Sequence, residues 1–262
     1  MRAAAVALFV SLIAMGCAQE PQYTELTLKG DLIAKQIQAS LAGTKGELHA
    51  DRIDPDGTRH PGCWIQLGPA LKDKRFEFSL PEKKIDLGYA GTITYHVDDV
   101  RLGTIQMAAA QNEFVLTATF TSDGVAIKGE HSTLGDSVVP GIKLNNMLLV
   151  VHLKPVVDDE KITYDDPKVE FTADVDNTFI PRFTVMGHTV DVFDALTHYR
   201  KDLCQAVQRE IQKALDDPAR KAALAEKIQE GIAGQLAGPN SPVVGLRFQG
   251  TDLIVKLRKS AG

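Results

Sequence analysis

Alternation with period two dominates the middle of the chain. In the run EFVLTATFTS, Phe114, Leu116, Ala118 and Phe120 share one face while Val115, Thr117, Thr119 and Thr121 share the other. An apolar face opposite a threonine face predicts a strand of an antiparallel sheet with one dry and one wet side. The turn tripeptide SDG follows, and VAIKG then puts Val125 and Ile127 in phase, which predicts a hairpin over 113–129. The same alternation recurs in RFEFSL (Phe76, Phe78, Leu80), TITYHV (Ile93, Tyr95, Val97), KVEFTADV (Val169, Phe171, Ala173, Val175) and DLIVKL (Leu253, Val255, Leu257). MLLVVHL, from Met147 to Leu153, is apolar on both faces and predicts a central strand covered on each side.

The period changes to that of a helix in three places. DLIAKQIQASLAG carries Ile33, Ile37 and Leu41 on one stripe and reaches a stop at Gly43. VDVFDALTHYRKDLCQAVQREIQKAL carries Leu196, Leu203, Val207, Ile211 and Leu215 on another. In DDPARKAALAEKIQEGIAGQLAG, Asp217 is the expected N-cap and Pro218 opens the first turn. Leu224, Ile228, Ile232 and Leu236 then share a face, and Gly238-Pro239 ends the helix. Two strands, around VVGLRF and DLIVKL, close the chain. The order predicts an α+β fold: a long curved antiparallel β-sheet of about nine to ten strands wrapped on N-terminal and C-terminal amphipathic helices.

A sheet that curls around helices leaves a groove where an apolar ligand would lie. Phe114, Phe120, Phe171, Leu196, Leu203 and Val207 are the candidate lining residues, and each is equally a good core residue. The small residues of MAAAQ, with Ala118 and Ala173 on otherwise bulky faces, either leave room for a ligand or admit close packing by a helix, the latter being favoured.

The N-terminus supplies an address. Arg2 precedes an apolar run from Ala3 to Met15, the length of a signal-peptide core and shorter than the ~20 residues a spanning helix needs. Two cleavage readings fit. With Gly16 and Ala18 at the small-residue positions, the mature chain begins at Gln19 and Cys17 is discarded. Alternatively AMGC resembles a bacterial lipobox, cleavage falls before Cys17, and diacylglycerol is attached to its sulfur; Ala14 stands where leucine is usual. The second is favoured, because AQEPQ after the cysteine is the polar tether a lipoprotein needs. The chain then divides into a signal peptide (1–18), a tether (19–29) and a single domain (30–258).

The formal net charge of -5 gives no electrostatic reason to expect nucleic acid. Cys63 and Cys204 remain in the body, either as a disulfide formed in an oxidising periplasm or as two small buried hydrophobes. Gly135-Asp136-Ser137 matches the block that presents the nucleophile in one family of esterases. The partner motif Asp-x-x-His is missing, since DALTH (Asp194 to His198) has one residue too many and falls on a helix, so the block is read as a turn. Asp51, Asp54, Asp56 and Gly57 lack the glutamate of a calcium loop and read as a tight turn. His60 and Cys63 have no second pair at zinc spacing, so no metal is expected. The carboxylate doublets Asp98-Asp99, Asp158-Asp159 and Asp165-Asp166 are read as turn residues. No phosphate loop, Walker pattern or nucleophile elbow is present, and no cofactor is expected.

Taken together, MGC, the stretch YTELTLKGDLIAKQIQASL, the alternating middle strands and AEKIQEGI followed by LRFQGTDLIVKL resemble the tubular lipid-binding (TULIP) superfamily, in particular its small bacterial lipoprotein members. The resemblance implies a curved sheet around a helix with lipid in the groove. The expected function is a non-catalytic envelope lipoprotein that binds or transfers a lipid or other apolar ligand. Its N-terminal lipid would hold it on the outer membrane facing the periplasm, or it would be soluble there without the lipid. The rival expectation is an envelope assembly or interaction lipoprotein with a filled core that docks a protein partner.

Overall fold

The computed structural model describes residues 22–135, 139–176, 182–185, 187–236 and 242–259. Cys17, Asp136 and Ser137 lie outside the described residues, as does the expected stop at Gly238-Pro239.

The fold is α+β, mostly strands, with a curled antiparallel sheet and three helices. The main sheet has seven strands in the spatial order β13 (Lys161–Val175), β12 (Leu144–Asp158), β10 (Glu113–Ser122), β9 (Val100–Ala110), β2 (Lys45–Leu48), β5 (Cys63–Gln66) and β6 (Arg75–Phe78). Bulges between Ala118 and Phe120 and at two places along β12 interrupt its register. Such bulges bend a strand and add twist. One three-stranded sheet joins β1 (Tyr23–Lys29), β17 (Asp252–Arg258) and β16 (Val243–Gln249). A second joins β11 (Ile127–His131), β8 (Thr92–Val97) and β7 (Lys83–Asp86). The short hairpins β3 (Arg52–Ile53)–β4 (Arg59–His60) and β14 (Arg182–Val185)–β15 (His188–Asp191) complete the strands among the described residues.

Helix α1 (Gly30–Ser40) packs on β9, and helices α2 (Phe193–Asp216) and α3 (Pro218–Ala233) lie over β13. Their apolar stripes are the expected ones: Ile33, Ile37, Leu196, Leu203, Val207, Ile228 and Ile232 are all buried. α1 and α3 touch at Gly231, where an added Cβ would come within 3.0 Å of Ile33 Cγ2. α3 ends earlier than its pattern predicts. The Gln235 amide bonds both the N–H and the carbonyl of Lys29, at 3.1 Å each, and fixes the chain to the β1–α1 junction.

Four sequence expectations need correction. Strand count exceeds nine or ten because the single long sheet is divided into smaller ones, including a second three-stranded layer. The stretch 23–29, expected as tether, is strand β1, held along its length by β17. The hairpin over 113–129 does not form, because β11 leaves β10 and pairs with β8. Gly129 permits this: a Cβ there would sit 2.6 Å from the Tyr95 ring and 2.3 Å from Val139. Finally, β12 is covered on one face only. Met147, Leu149, Val151 and Leu153 are buried, whereas Leu148, Val150 and His152 on the outer face are half-buried.

Candidate functional site

The site arises where the chain turns between α2 and α3. Pro218 has no N–H to continue α2, and Asp217 before it is extended (φ -61, ψ 121). The Asp217 carboxylate accepts the Arg220 N–H at 3.0 Å and caps α3. Three further contacts fix this elbow. The Tyr164 hydroxyl donates to the Leu215 carbonyl at 2.9 Å, Lys74 Nζ donates to the Ala219 carbonyl at 3.0 Å, and Lys72 lies 3.6 Å from Glu226. Burial, with the Asp216 charge adding, pushes the Tyr164 phenol above its ordinary range and keeps it neutral.

Beneath the elbow, where the helix axis breaks, lies an apolar cavity of about 120 Å³. Its floor is the inner face of the main sheet: Leu102 and Ile105 from β9, Leu116 and Ala118 from β10, Leu149 and Val151 from β12. Leu41, Thr44, Ile65, Leu67, Leu71 and Phe76 form the far wall, and Ile211, Ala214, Leu215, Arg220 and Leu224 the roof. Leu102, Ile105 and Leu116 point inward from the middle of the sheet yet are only half-buried. The cavity shares Phe76, Ala214 and Arg220 with an adjoining open cleft lined by Arg75, Glu77, Glu210, Lys213, Asp216 and Asp217. At their junction the Arg220 guanidinium sits 5.2 Å over the Phe76 ring.

None of the six candidate lining residues borders this cavity. Phe114 packs edge-on to Phe248 at 5.2 Å and Phe120 edge-on to Phe171 at 5.5 Å, filling the core at either end of β10. Leu196, Leu203 and Val207 are buried earlier along α2, before the elbow. Ala118 does leave room, as the first of the two alanine readings has it. Ala109 instead admits the chain at Gly30, where an added Cβ would meet its own Cβ at 2.8 Å, and Ala173 packs under α2 beside Cys204. The residues missed from the sequence include the mid-strand Leu102, Ile105, Leu116, Leu149 and Val151, together with Leu67, Leu71 and Phe76 from short segments after β5 and Arg220 just after a helix cap. The Asp-Pro break was the one signal that could have found them.

Cys63 and Cys204 are separate free thiols, so the crosslink considered from the sequence is not formed. Cys63 Sγ points at the His49 carbonyl, 3.3 Å away, whereas Cys204 sits on α2 by the Ala173 carbonyl. Burial pushes the Cys63 thiol up to about 12. His60 pairs with Asp54 at 2.8 Å and does not join Cys63. Asp54 accepts from Gly57 N–H at 2.8 Å, the expected tight turn, with Gly57 at φ +85.

Of the carboxylate doublets, Asp98 departs from its turn role. It is buried and paired with Lys128 and with His49 Nδ1, the latter at 2.6 Å. Asp99 and Asp159 take positive φ as turn residues do, whereas Asp165 and Asp166 lie within β13 beside the register shift opposite His152 and Lys154, Asp166 at φ +38, and Asp158 pairs with Lys161 at the end of β12. His131, six residues before Ser137, is committed to the backbone: Nε2 to the Ala90 carbonyl at 2.7 Å, Nδ1 accepting from Thr133 and Leu134 N–H at 3.2 Å each. No described group of three or more His, Cys, Asp or Glu residues is arranged to hold a metal, and no described helix is long and apolar enough to cross a membrane.

No protein family, curated protein or solved structure matches the chain.

Proposed function

We propose that this chain is a non-catalytic carrier, an envelope lipoprotein anchored through Cys17 that binds a lipid or other apolar molecule between its sheet and helices. The observation that carries the reading is the cavity under the α2–α3 elbow, with half-buried Leu102, Ile105 and Leu116 facing it and a mouth on a polar cleft. Dry apolar voids are costly to a fold, at about 24 cal/mol per Å³ when made by truncating a core side chain. An empty cavity of about 150 Å³ takes up a benzene-sized guest readily. The resemblance to tubular lipid-binding proteins agrees with the placement of a curled sheet around amphipathic helices, and the leader with a lipobox-like AMGC agrees with an envelope address.

The second reading, an assembly or interaction lipoprotein, draws on a different observation. At about 120 Å³ the cavity is smaller than the ~300–1,000 Å³ usual for drug-sized ligands. The half-buried outer residues Leu148 and Val150 would then belong to a partner surface.

Native mass spectrometry of protein purified from the cell envelope, followed by organic extraction, separates the two. The carrier reading predicts a co-purifying apolar molecule lost on extraction, or saturable uptake of a fatty-acid probe. Absence of both a mass addition and probe binding would overturn it in favour of the interaction protein.

A further inference from the structure

The described side chains around the cavity are apolar with two exceptions, Thr44 and Arg220, and Arg220 alone carries charge. Its position is specific. The guanidinium carbon lies over the Phe76 ring at the mouth, 5.2 Å from its centroid, and the side chain is 27% exposed, so a cation–π contact holds it at the rim within reach of solvent. Asp217 is its ion-pair neighbour, but Nη1 lies 3.9 Å from Oδ1, beyond hydrogen-bond reach, and that oxygen already accepts the Arg220 backbone N–H, so the pair does not occupy the guanidinium's N–H donors. The other carboxylates of the cleft are engaged elsewhere. Glu77 is paired with Arg75 at 2.9 Å, Glu210 with Lys213 at 2.6 Å, and Asp216 accepts from Gln212 at 3.3 Å. A planar fork of N–H donors at the rim of an otherwise apolar void matches a planar anion at the end of an apolar body.

Building on the carrier reading above, we propose that the ligand is a single apolar chain ending in a carboxylate, with the carboxylate bidentate on Arg220 and the chain running inward over Leu116 and Ala118. The volume admits one slender chain and no second. The charge of the cleft selects among anions. Arg75, Lys213 and Arg220 stand against Glu77, Glu210, Asp216 and Asp217, an excess of one negative charge that opposes a dianionic phosphate more strongly than a monoanionic carboxylate.

The test is a titration of the full mature chain, followed by methyl NMR, with octanoate, 1-octanol, octylammonium and octyl phosphate. Octanoate is expected to bind at least tenfold tighter than 1-octanol, and tighter than octylammonium or octyl phosphate. Arg220→Gln should remove that advantage while leaving 1-octanol affinity within twofold, and Arg220→Lys should keep part of it; thermal melts of both variants confirm folding. Ala214→Leu, which fills the void, should abolish octanoate and 1-octanol binding together. Equal binding of octanoate and 1-octanol, with Arg220→Gln changing neither, would overturn the headgroup assignment and leave the carrier reading standing. A preference for octyl phosphate or octylammonium would overturn it in the same way. Absence of binding by all four would bring down both, as would octanoate binding that survives Ala214→Leu.

Discussion

Three tyrosines are buried in this fold, and they are not equivalent. Tyr164 and Tyr199 donate to the Leu215 and Pro81 carbonyls at 2.9 Å each, whereas the Tyr95 hydroxyl has no hydrogen-bond partner among the described residues. A buried hydroxyl left unpaired costs roughly 1–3 kcal/mol, while a paired one contributes about 0.5–1.5 kcal/mol net. Tyr95→Phe is therefore expected to leave stability unchanged or raise it, and Tyr164→Phe to lower it by about 1 kcal/mol, as read from urea midpoints. Cys63 gives a pH dependence whose sign is fixed by burial. Below pH 9.0 its thiol is protonated in both folded and unfolded chains; above it the unfolded chain loses a proton that the folded chain keeps until about 12. Proton binding is then greater in the native state, so stability falls as pH rises through that window, and the buried tyrosines act in the same direction. The urea midpoint should be lower at pH 10.5 than at 8.5, with a smaller drop in Cys63→Ala. An unchanged midpoint would mean that the thiol is solvated.

At the scale of elements, the functional geometry comes from one interruption. α2 and α3 form a continuous apolar stripe broken by Asp217-Pro218, and the cavity lies below that break. Asp217→Ala removes the cap, which typically costs ~0.5–2 kcal/mol, and leaves Pro218 to hold the bend. Melting should show the loss, and hydrogen exchange should show it concentrated in the first turn of α3. A uniform increase in exchange would contradict a local role for the cap. The pattern of the sequence made all three helices and the long strands β10, β12, β13 and β17 legible, because each carries several turns or pleats of one period. Pairing partners were less legible. SDG beside two alternating runs has the form of a hairpin, and only the contact of Gly129 with Tyr95, remote in sequence, sends β11 to β8. Tyr23–Lys29 is similarly ambiguous alone: five of its seven residues are exposed, and its strand character comes from β17 at the other end of the chain.

For the whole molecule, the large aromatic residues that mark a face as apolar are the ones that fill it. Phe114, Phe120 and Phe171 close the core on either side of the cavity, and room is left where Ala118 and Ala214 face each other's elements beneath a bent helix pair. A void is a property of what several segments fail to fill together, so no single run of sequence displays it; Ala118 was legible as a small residue, whereas nothing in the sequence singled out Arg220. The central claim is that this void is a binding site in solution. Intermolecular NOEs between the full mature chain and octanoate test it most directly. The account predicts contacts from the terminal methyl of the ligand to Leu116, Ala118 and Ile105, with the protons next to the carboxylate near Phe76. Contacts confined to the outer face around Leu148 and Val150, or none at any ligand concentration, would contradict it.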